Sequence, residues 1–228
     1  LEKMNVPAYK IASFEIVDIP LIEYVASKGK PVIISTGIAT ENEIEDAVNV
    51  CRKIGNDDIA LLKCTSEYPA PIENANLKTI PYLKEKFKTI VGLSDHTVGT
   101  IVSSTAVALG AQIIEKHFIL DRNIGGPDAS FSMEPQEFKN LVNNIRQTEL
   151  SIGEATFKLS EKIRQSRTFA RSLFAVKDIK SGEVFTNDNI QSIRPAHGLP
   201  PKFIDSIIGK TAKTDIKKGT PLNWTLIK

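Results

Sequence analysis

Five short apolar runs recur through the first half of the chain, and each is followed by a stretch with helical spacing. They are Tyr9-Lys-Ile-Ala-Ser13, Pro31-Val-Ile-Ile-Ser-Thr36, Ile59-Ala-Leu-Leu-Lys-Cys-Thr65, Thr89-Ile-Val-Gly-Leu93 and Ala111-Gln-Ile-Ile114. Their starts lie 22, 28, 30 and 22 residues apart (31 − 9, 59 − 31, 89 − 59 and 111 − 89). Continuous apolar strands alternating with helices predict a parallel sheet covered on both faces. The helical stretches carry their own punctuation. Asp18 to Lys28 stops at Gly29, and Thr40-Glu-Asn-Glu43 is a capping box opening a helix that runs to Gly55. Asn76 to Lys86 is helical with a break at Pro81, and Val98 to Leu109 is a fourth helix. Glu134-Pro-Gln-Glu137 starts a long amphipathic helix that stops at Gly153.

Two parallel architectures fit such a pattern. A doubly wound sheet for dinucleotides calls for a Gly-rich loop after the first strand, and none is present. Polar residues instead follow every strand, which suits the loops at the C-terminal face of a (β/α)8 barrel. The prediction is an α/β chain whose residues 1–156 form the C-terminal part of a (β/α)8 TIM barrel, about five βα units. The chain opens on Leu1 and enters a strand almost at once, as expected for the trimmed remainder of a longer protein lacking three N-terminal units.

Residues 157–169 turn charged (Glu161, Lys162, Arg164, Arg167) and read as a linker. Residues 170–228 change texture to short β-type runs, tight turns and prolines, which predicts a small β-rich domain. Within it Asp178-Ile-Lys-Ser-Gly182 is echoed by Asp215-Ile-Lys-Lys-Gly219 at an offset of 37 residues. Two related β-turn units suggest internal pseudo-symmetry in a segment too short for a solenoid.

Composition excludes several classes. A net charge of +2 with scattered basic residues gives no case for nucleic acid or an anionic membrane. No apolar run approaches the roughly 20 residues that span a bilayer. Cys51 and Cys64 are too few for a disulfide framework and suit a reducing cytosol, so a cytoplasmic location is expected.

Two of the three histidines, His96 and His117, follow the fourth and fifth apolar runs, 21 residues or one βα unit apart. Two imidazoles at the same ends of neighbouring parallel strands can converge on one divalent metal. Taken singly, each could equally be a hydrogen-bonded histidine at a barrel rim.

The segments Tyr9-Lys-Ile-Ala-Ser, Ile34-Ser-Thr-Gly, Cys64-Thr-Ser-Glu-Tyr-Pro, Gly92-Leu-Ser-Asp-His, Glu115-Lys-His-Phe and Gly126-Pro-Asp, in this order, resemble the sialic acid synthase family. The tail from Ala170, with Arg194-Pro195, resembles that family's antifreeze-like (SAF) domain. Within the family, Ala12-Ser-Phe-Glu-Ile, Cys64-Thr-Ser-Glu-Tyr-Pro-Ala and Asp128-Ala-Ser-Phe-Ser are most similar to pseudaminic acid synthases.

The resemblance implies condensation of phosphoenolpyruvate (PEP) with an open-chain N-acetylated amino sugar, giving a nonulosonic acid and phosphate. The expected sugar is 2,4-diacetamido-2,4,6-trideoxy-altrose. N-acetylneuraminate and legionaminate synthases are the alternatives within the family. It also implies a divalent metal, Mn2+ with Mg2+ or Co2+ as substitutes, on His96 and His117. Lys10, Ser13, Ser35, Ser66 and Ser94 match PEP-binding positions, although Ser66 stands where N-acetylneuraminate synthases usually carry Asn. Glu15 matches a catalytic acid/base, and Tyr68 and Asp128 match sugar-contacting positions. Arg194 matches a residue that reaches the sugar's N-acetyl group across a domain-swapped homodimer. His197 is expected on the surface.

Without the resemblance these residues have plainer readings. Serines after strands are common turn chemistry, Gly125-Gly-Pro-Asp is a good turn, and a lone Glu or Arg is usually solvated. Two rival functions follow from other residues. A Schiff-base aldolase would use Lys63 or Lys10 as nucleophile. A non-catalytic carbohydrate-binding or regulatory fragment would use only the β-rich tail.

Overall fold

The computed structural model describes residues 1–228, which divide into two compact units, Leu1–Glu154 and Ala155–Lys228. In the first unit the five strands are β1 (Tyr9–Ile11), β2 (Val32–Ser35), β3 (Ile59–Cys64), β4 (Ile90–Asp95) and β5 (Ile113–Lys116). They form one sheet in sequence order, all parallel, with the helices α1 (Ile19–Ala26), α2 (Glu41–Lys53), α3 (Thr79–Phe87) and α4 (Ile101–Ala108) between them. A fifth helix, α5 (Pro135–Ile152), follows β5.

Sequence decides most of these boundaries. Asp18 caps α1 by accepting from Leu21 N, and Thr40 with Glu43 forms the expected capping box of α2. Glu134 and Glu137 do the same for α5, with Pro135 at its first position. The expected break at Pro81 does not occur. Lys78 is the N-cap of α3, which places Pro81 in the first turn, where a missing N–H breaks no intrahelical bond. A short 3-10 turn, Ile72–Asn74, occupies the segment before it.

The sheet is curled into a half-barrel. Five strands laid flat at about 4.8 Å spacing would put β1 and β5 about 19 Å apart, beyond what a Lys and a Glu side chain span together. Yet Lys10 Nζ on β1 lies 3.3 Å from Glu115 Oε1 on β5. Alternate strand residues (Ile11, Val32, Ile34, Ile59, Leu61, Val91, Leu93) pack outward with the helices in one core, completed by Ile22, Val48, Ile80 and Leu83. The intervening residues face the inside of the curl.

Gly92 is one of these inner positions and must be glycine. A Cβ there would stand 2.3 Å from the Ile113 carbonyl oxygen and 2.6 Å from Leu62 Cδ2.

In the second unit the residues expected as a linker include a short helix, α6 (Glu161–Ser166), and a 3-10 turn, Arg167–Phe169. Beyond them β6 (Ser172–Ala175) pairs antiparallel with β7 (Ile190–Ile193). A second core gathers Leu173, Phe185, Ile190, Ile207 and Leu222, with Ile207 on the short helix α7 (Ile204–Ile207).

The repeat noted in the sequence is a pair of segments lying against each other. Ile179 and Ile216 exchange both backbone hydrogen bonds at 2.8 Å. Asp178 Oδ1 accepts from Lys218 N and Asp215 Oδ1 from Ser181 N, at 2.8 and 2.9 Å. Lys217 pairs with Asp178 and Lys180 with Asp215, so each turn does for its partner what the partner does for it. Gly182 and Gly219 hold φ of 82° and 87° at matching places, a region glycine enters without strain.

No helix of the protein is long and apolar enough to cross a membrane.

Candidate active site

The polar residues singled out in the first unit fall together because parallel strands deliver their C-terminal ends to one side and the two-residue period selects one face. Register pairs Ser35 with Leu62, Cys64 with Ser94, and Ser94 with Glu115 across the inside of the curl. Lys10 Nζ donates to Ser35 Oγ at 2.8 Å and pairs with Glu115 at 3.3 Å, while Ser94 Oγ donates to Glu115 Oε1 at 2.6 Å. These four residues form one hydrogen-bonded cluster.

A second cluster adjoins the end of β3. Ser13 and Ser66 share a hydrogen bond of 2.8 Å, and Ser13 Oγ also accepts from Ile38 N at 3.0 Å. Ser66 Oγ lies 3.7 Å from Cys64 Sγ, which in turn lies 3.9 Å from His96 Nδ1. Gly37 makes room for the group: a Cβ there would stand 2.2, 2.7 and 2.9 Å from Ser66 Oγ, Ser13 Oγ and Cys64 Sγ.

His96 and His117 follow β4 and β5 directly, and their ring centroids are 5.2 Å apart. His96 Nδ1 is 2.8 Å from the Thr65 carbonyl oxygen. A carbonyl only accepts, so Nδ1 carries a proton and Nε2 is the nitrogen left for a ligand. His117 Nδ1 faces Asp128 Oδ2 at 3.5 Å, without a hydrogen bond between them. Burial, and next the proximity of His96, hold the His117 imidazole below its ordinary pKa and therefore neutral at neutral pH.

Both rings border a cavity of about 240 Å³ shared with Ser94, Glu115 and Lys116. Two adjacent imidazoles, with His96 Nδ1 held by a backbone acceptor, fit a borderline divalent cation. No group of three or more His, Cys, Asp or Glu is assembled to hold a metal, so the remaining positions would fall to water or substrate.

Tyr68 lies with its ring 4.3 Å from His96 and 6.0 Å from His117, and Phe131 lies 5.0 Å from His117. Burial raises the Tyr68 phenol pKa, with a further push from Cys64, so it stays a donor. Together the rings wall one side of the histidine pair.

One expected residue of this unit stands apart from these clusters. Glu15 is exposed in the 3-10 turn after β1, and its Oε2 accepts from Ala12 N at 2.9 Å. No hydrogen bond or ion pair joins it to the clustered residues, and its other oxygen is free. Arg194 belongs to the second unit, exposed, just past β7, as is His197. Lys63 lies on the outer, helix-packed side of β3, where Nζ donates to Thr65 Oγ1 at 2.6 Å. That placement turns it away from the cavity and weighs against its use as a Schiff-base nucleophile.

Sequence reasoning missed three residues of the site. Glu115 precedes His117 by two positions on the same face of β5, a signal the strand period carried. Gly37 and Phe131 gave no local signal, since their roles depend on what the fold brings against them.

A parallel half-barrel with a histidine pair and a Lys–Ser–Glu cluster at its C-terminal end defines the class. The chain belongs to the NeuB family, whose model matches residues 1–157, and residues 170–228 match the SAF domain. It is 49% identical over 224 residues to the pseudaminic acid synthase of Helicobacter pylori, covering 98% of this chain and 66% of that one. It is 44% identical over 221 residues to the N,N'-diacetyllegionaminic acid synthase of Campylobacter jejuni, covering 96% and 66%. The crystal structure of the spore coat polysaccharide biosynthesis protein SpsE from Bacillus subtilis superimposes with a TM-score of 0.65 at 37% identity, covering 100% of this chain and 69% of that one. The chain spans 66% of the length of the H. pylori relative.

Proposed function

We propose that the intact gene product is a C–C bond-forming transferase. It condenses PEP with the open-chain form of 2,4-diacetamido-2,4,6-trideoxy-altrose, giving pseudaminic acid and phosphate. The observation that carries the reading is the convergence, on one concave face, of the Lys10–Ser35–Glu115–Ser94 cluster with the His96–His117 pair. The higher identity to a pseudaminic acid synthase than to a legionaminic acid synthase favours the trideoxy-altrose sugar.

In this reading the Lys10 ammonium and the hydroxyls of Ser35 and Ser94 bind the phosphate and carboxylate of PEP, with Ser13 and Ser66 adding donors. Glu115 holds Lys10 and Ser94 in place before substrate arrives. His96 and His117 hold the divalent cation through their free nitrogens. Mn2+ is the expected ion, with Mg2+ and Co2+ as the other candidates, and when bound it supplies Lewis-acid polarisation of the sugar aldehyde. Tyr68 and Asp128 orient the sugar, so that the PEP methylene carbon faces the aldehyde carbon. Glu15 moves the proton as water adds at PEP C2 and phosphate departs, using the carboxylate oxygen not tied to Ala12 N. The protein acts in the cytoplasm as a domain-swapped homodimer, in which Arg194 reaches the sugar's N-acetyl group on the partner's barrel. This last part rests on the family resemblance alone.

The test is phosphate release from PEP by the intact gene product with Mn2+, with and without chelator. The trideoxy sugar, the legionaminic precursor and N-acetylmannosamine are supplied in parallel. Chelator-sensitive release with the trideoxy sugar alone supports the reading. Release with another sugar alone overturns the substrate, and release that survives chelation overturns the metal-assisted chemistry.

A further inference from the structure

The residue before each histidine belongs to a buried ion pair. Register places Asp95 opposite Lys116, and the strand period turns both outward, to the side opposite His96 and His117. Lys116 Nζ lies 2.9 Å from Asp95 Oδ2, with side chains 2% and 1% exposed. The same Nζ donates to the Thr97 carbonyl at 2.6 Å, so β5 is tied both to β4 and to the turn just after His96. Asp95 Oδ1 accepts from Thr97 N and Oγ1 at 2.9 and 2.7 Å, and Oδ2 accepts from Ser103 Oγ at 2.5 Å.

Every polar atom of the pair is thus spent on the main chain or helix flanking a histidine. A buried ion pair is a weak way to stabilise a fold, since well-packed apolar residues do as well, so its placement calls for another reason. Here the pair sets how far apart the two strand ends stand and how the His96 turn is held. Lys116 borders the histidine cavity as a residue of β5, but both side chains of the pair are almost wholly buried on the opposite side, so they act through the strands, as positioning residues.

We propose that the buried Asp95–Lys116 pair is a clamp that fixes the spacing of His96 and His117 and thereby sets the affinity of the histidine site for a divalent cation. The inference rests on the two-histidine reading above.

The test is Mn2+ titration of the intact gene product, followed by the paramagnetic resonance signal of the free ion, beside the thermal melt of the metal-free protein. Lys116→Met alone strands a buried carboxylate and should lower both stability and affinity. The deciding variant is Asp95→Asn with Lys116→Met. It removes both charges together, and the Asn oxygen still accepts from Thr97, so the melt should recover towards wild type. The cross-strand tie is gone, so Mn2+ affinity should stay lowered by about tenfold or more, the scale of lost support around metal ligands. A double variant that binds Mn2+ as wild type does, or that no longer folds, overturns the clamp, because the pair would then serve the fold and not the site. His96→Ala and His117→Ala run alongside. Unchanged Mn2+ binding in those two would refute the histidine site itself and the clamp with it, an outcome distinct from failure of the clamp alone.

Discussion

Replacing Gly37 with Ala tests whether the small residues at the strand ends shape the proposed PEP site. The backbone at Gly37 has no positive φ, so alanine enters without backbone strain. The new methyl, however, would stand 2.2 Å from Ser66 Oγ, 2.7 Å from Ser13 Oγ and 2.9 Å from Cys64 Sγ. All three are side-chain atoms, so the serines rotate away and the chain stays folded. The Ser13–Ser66 bond and the Ile38 N–H bond to Ser13 are lost, at about 1 kcal/mol each. The total of about 2 kcal/mol lowers the melting temperature by about 4–8 °C at this chain length. The functional loss is larger in proportion. Hydrogen bonds to a charged group contribute about 1.5–3 kcal/mol, so losing one serine donor to PEP raises its KM about 10- to 150-fold. The assay is phosphate release against PEP concentration, with a thermal melt on the same preparation. A variant with wild-type KM and wild-type melting temperature would refute the placement of Ser13 and Ser66 at the substrate.

Gly92→Ala presses a methyl against a backbone oxygen, which cannot rotate away. It should destabilise the protein by about 1–3 kcal/mol in a denaturant melt. Lys63→Met should remove a pH dependence. Burial lowers the Lys63 pKa from 10.5, so the folded state resists the proton and stability is lost as pH falls from 10.5 through the folded value. The melting-temperature advantage of the Met variant should therefore grow as pH drops through that window, and a constant difference would contradict the assignment. In the second unit, Ile179→Ala should cost about 2–5 kcal/mol by opening a cavity between the two repeats. Asp178→Asn, at a solvated ion pair, should leave the melt almost unmoved.

The strands were legible because their outward positions and most of the inward ones are apolar, giving continuous runs such as Val32–Ile34 and Leu61–Leu62. The histidine pair was legible because one βα unit is a local distance. Pro81 misled because a proline near a helix start and one inside a helix look alike until the N-cap is located, and here that cap is Lys78, not Asn76. The offset repeat in the second unit was visible as sequence, but the exchange of Asp and Lys partners between its copies was not. That exchange depends on antiparallel contact between segments 37 residues apart. Gly37 and Phe131 were illegible for the same reason: the atoms they meet come from other strands, and a single sequence carries no record of curl.

The two faces of the strands account for where polar residues fall. Outward positions are apolar along most of each strand and turn polar at the C-terminal end, with Lys63, Asp95 and Lys116. Each of these buried groups is satisfied by a backbone carbonyl, a hydroxyl or a partner charge. Inward positions turn polar at the same level, with Ser35, Ser94 and Glu115. At that level the strand ladder stops, and carbonyls such as those of Thr65 and Thr97 need donors that no neighbouring strand supplies. His96 satisfies the first from the inside and Lys116 the second from the outside. The end of a parallel sheet is therefore where this sequence must place polar side chains in any case. Turning the inward ones onto a common cavity costs only the choice of which polar residue stands at each place.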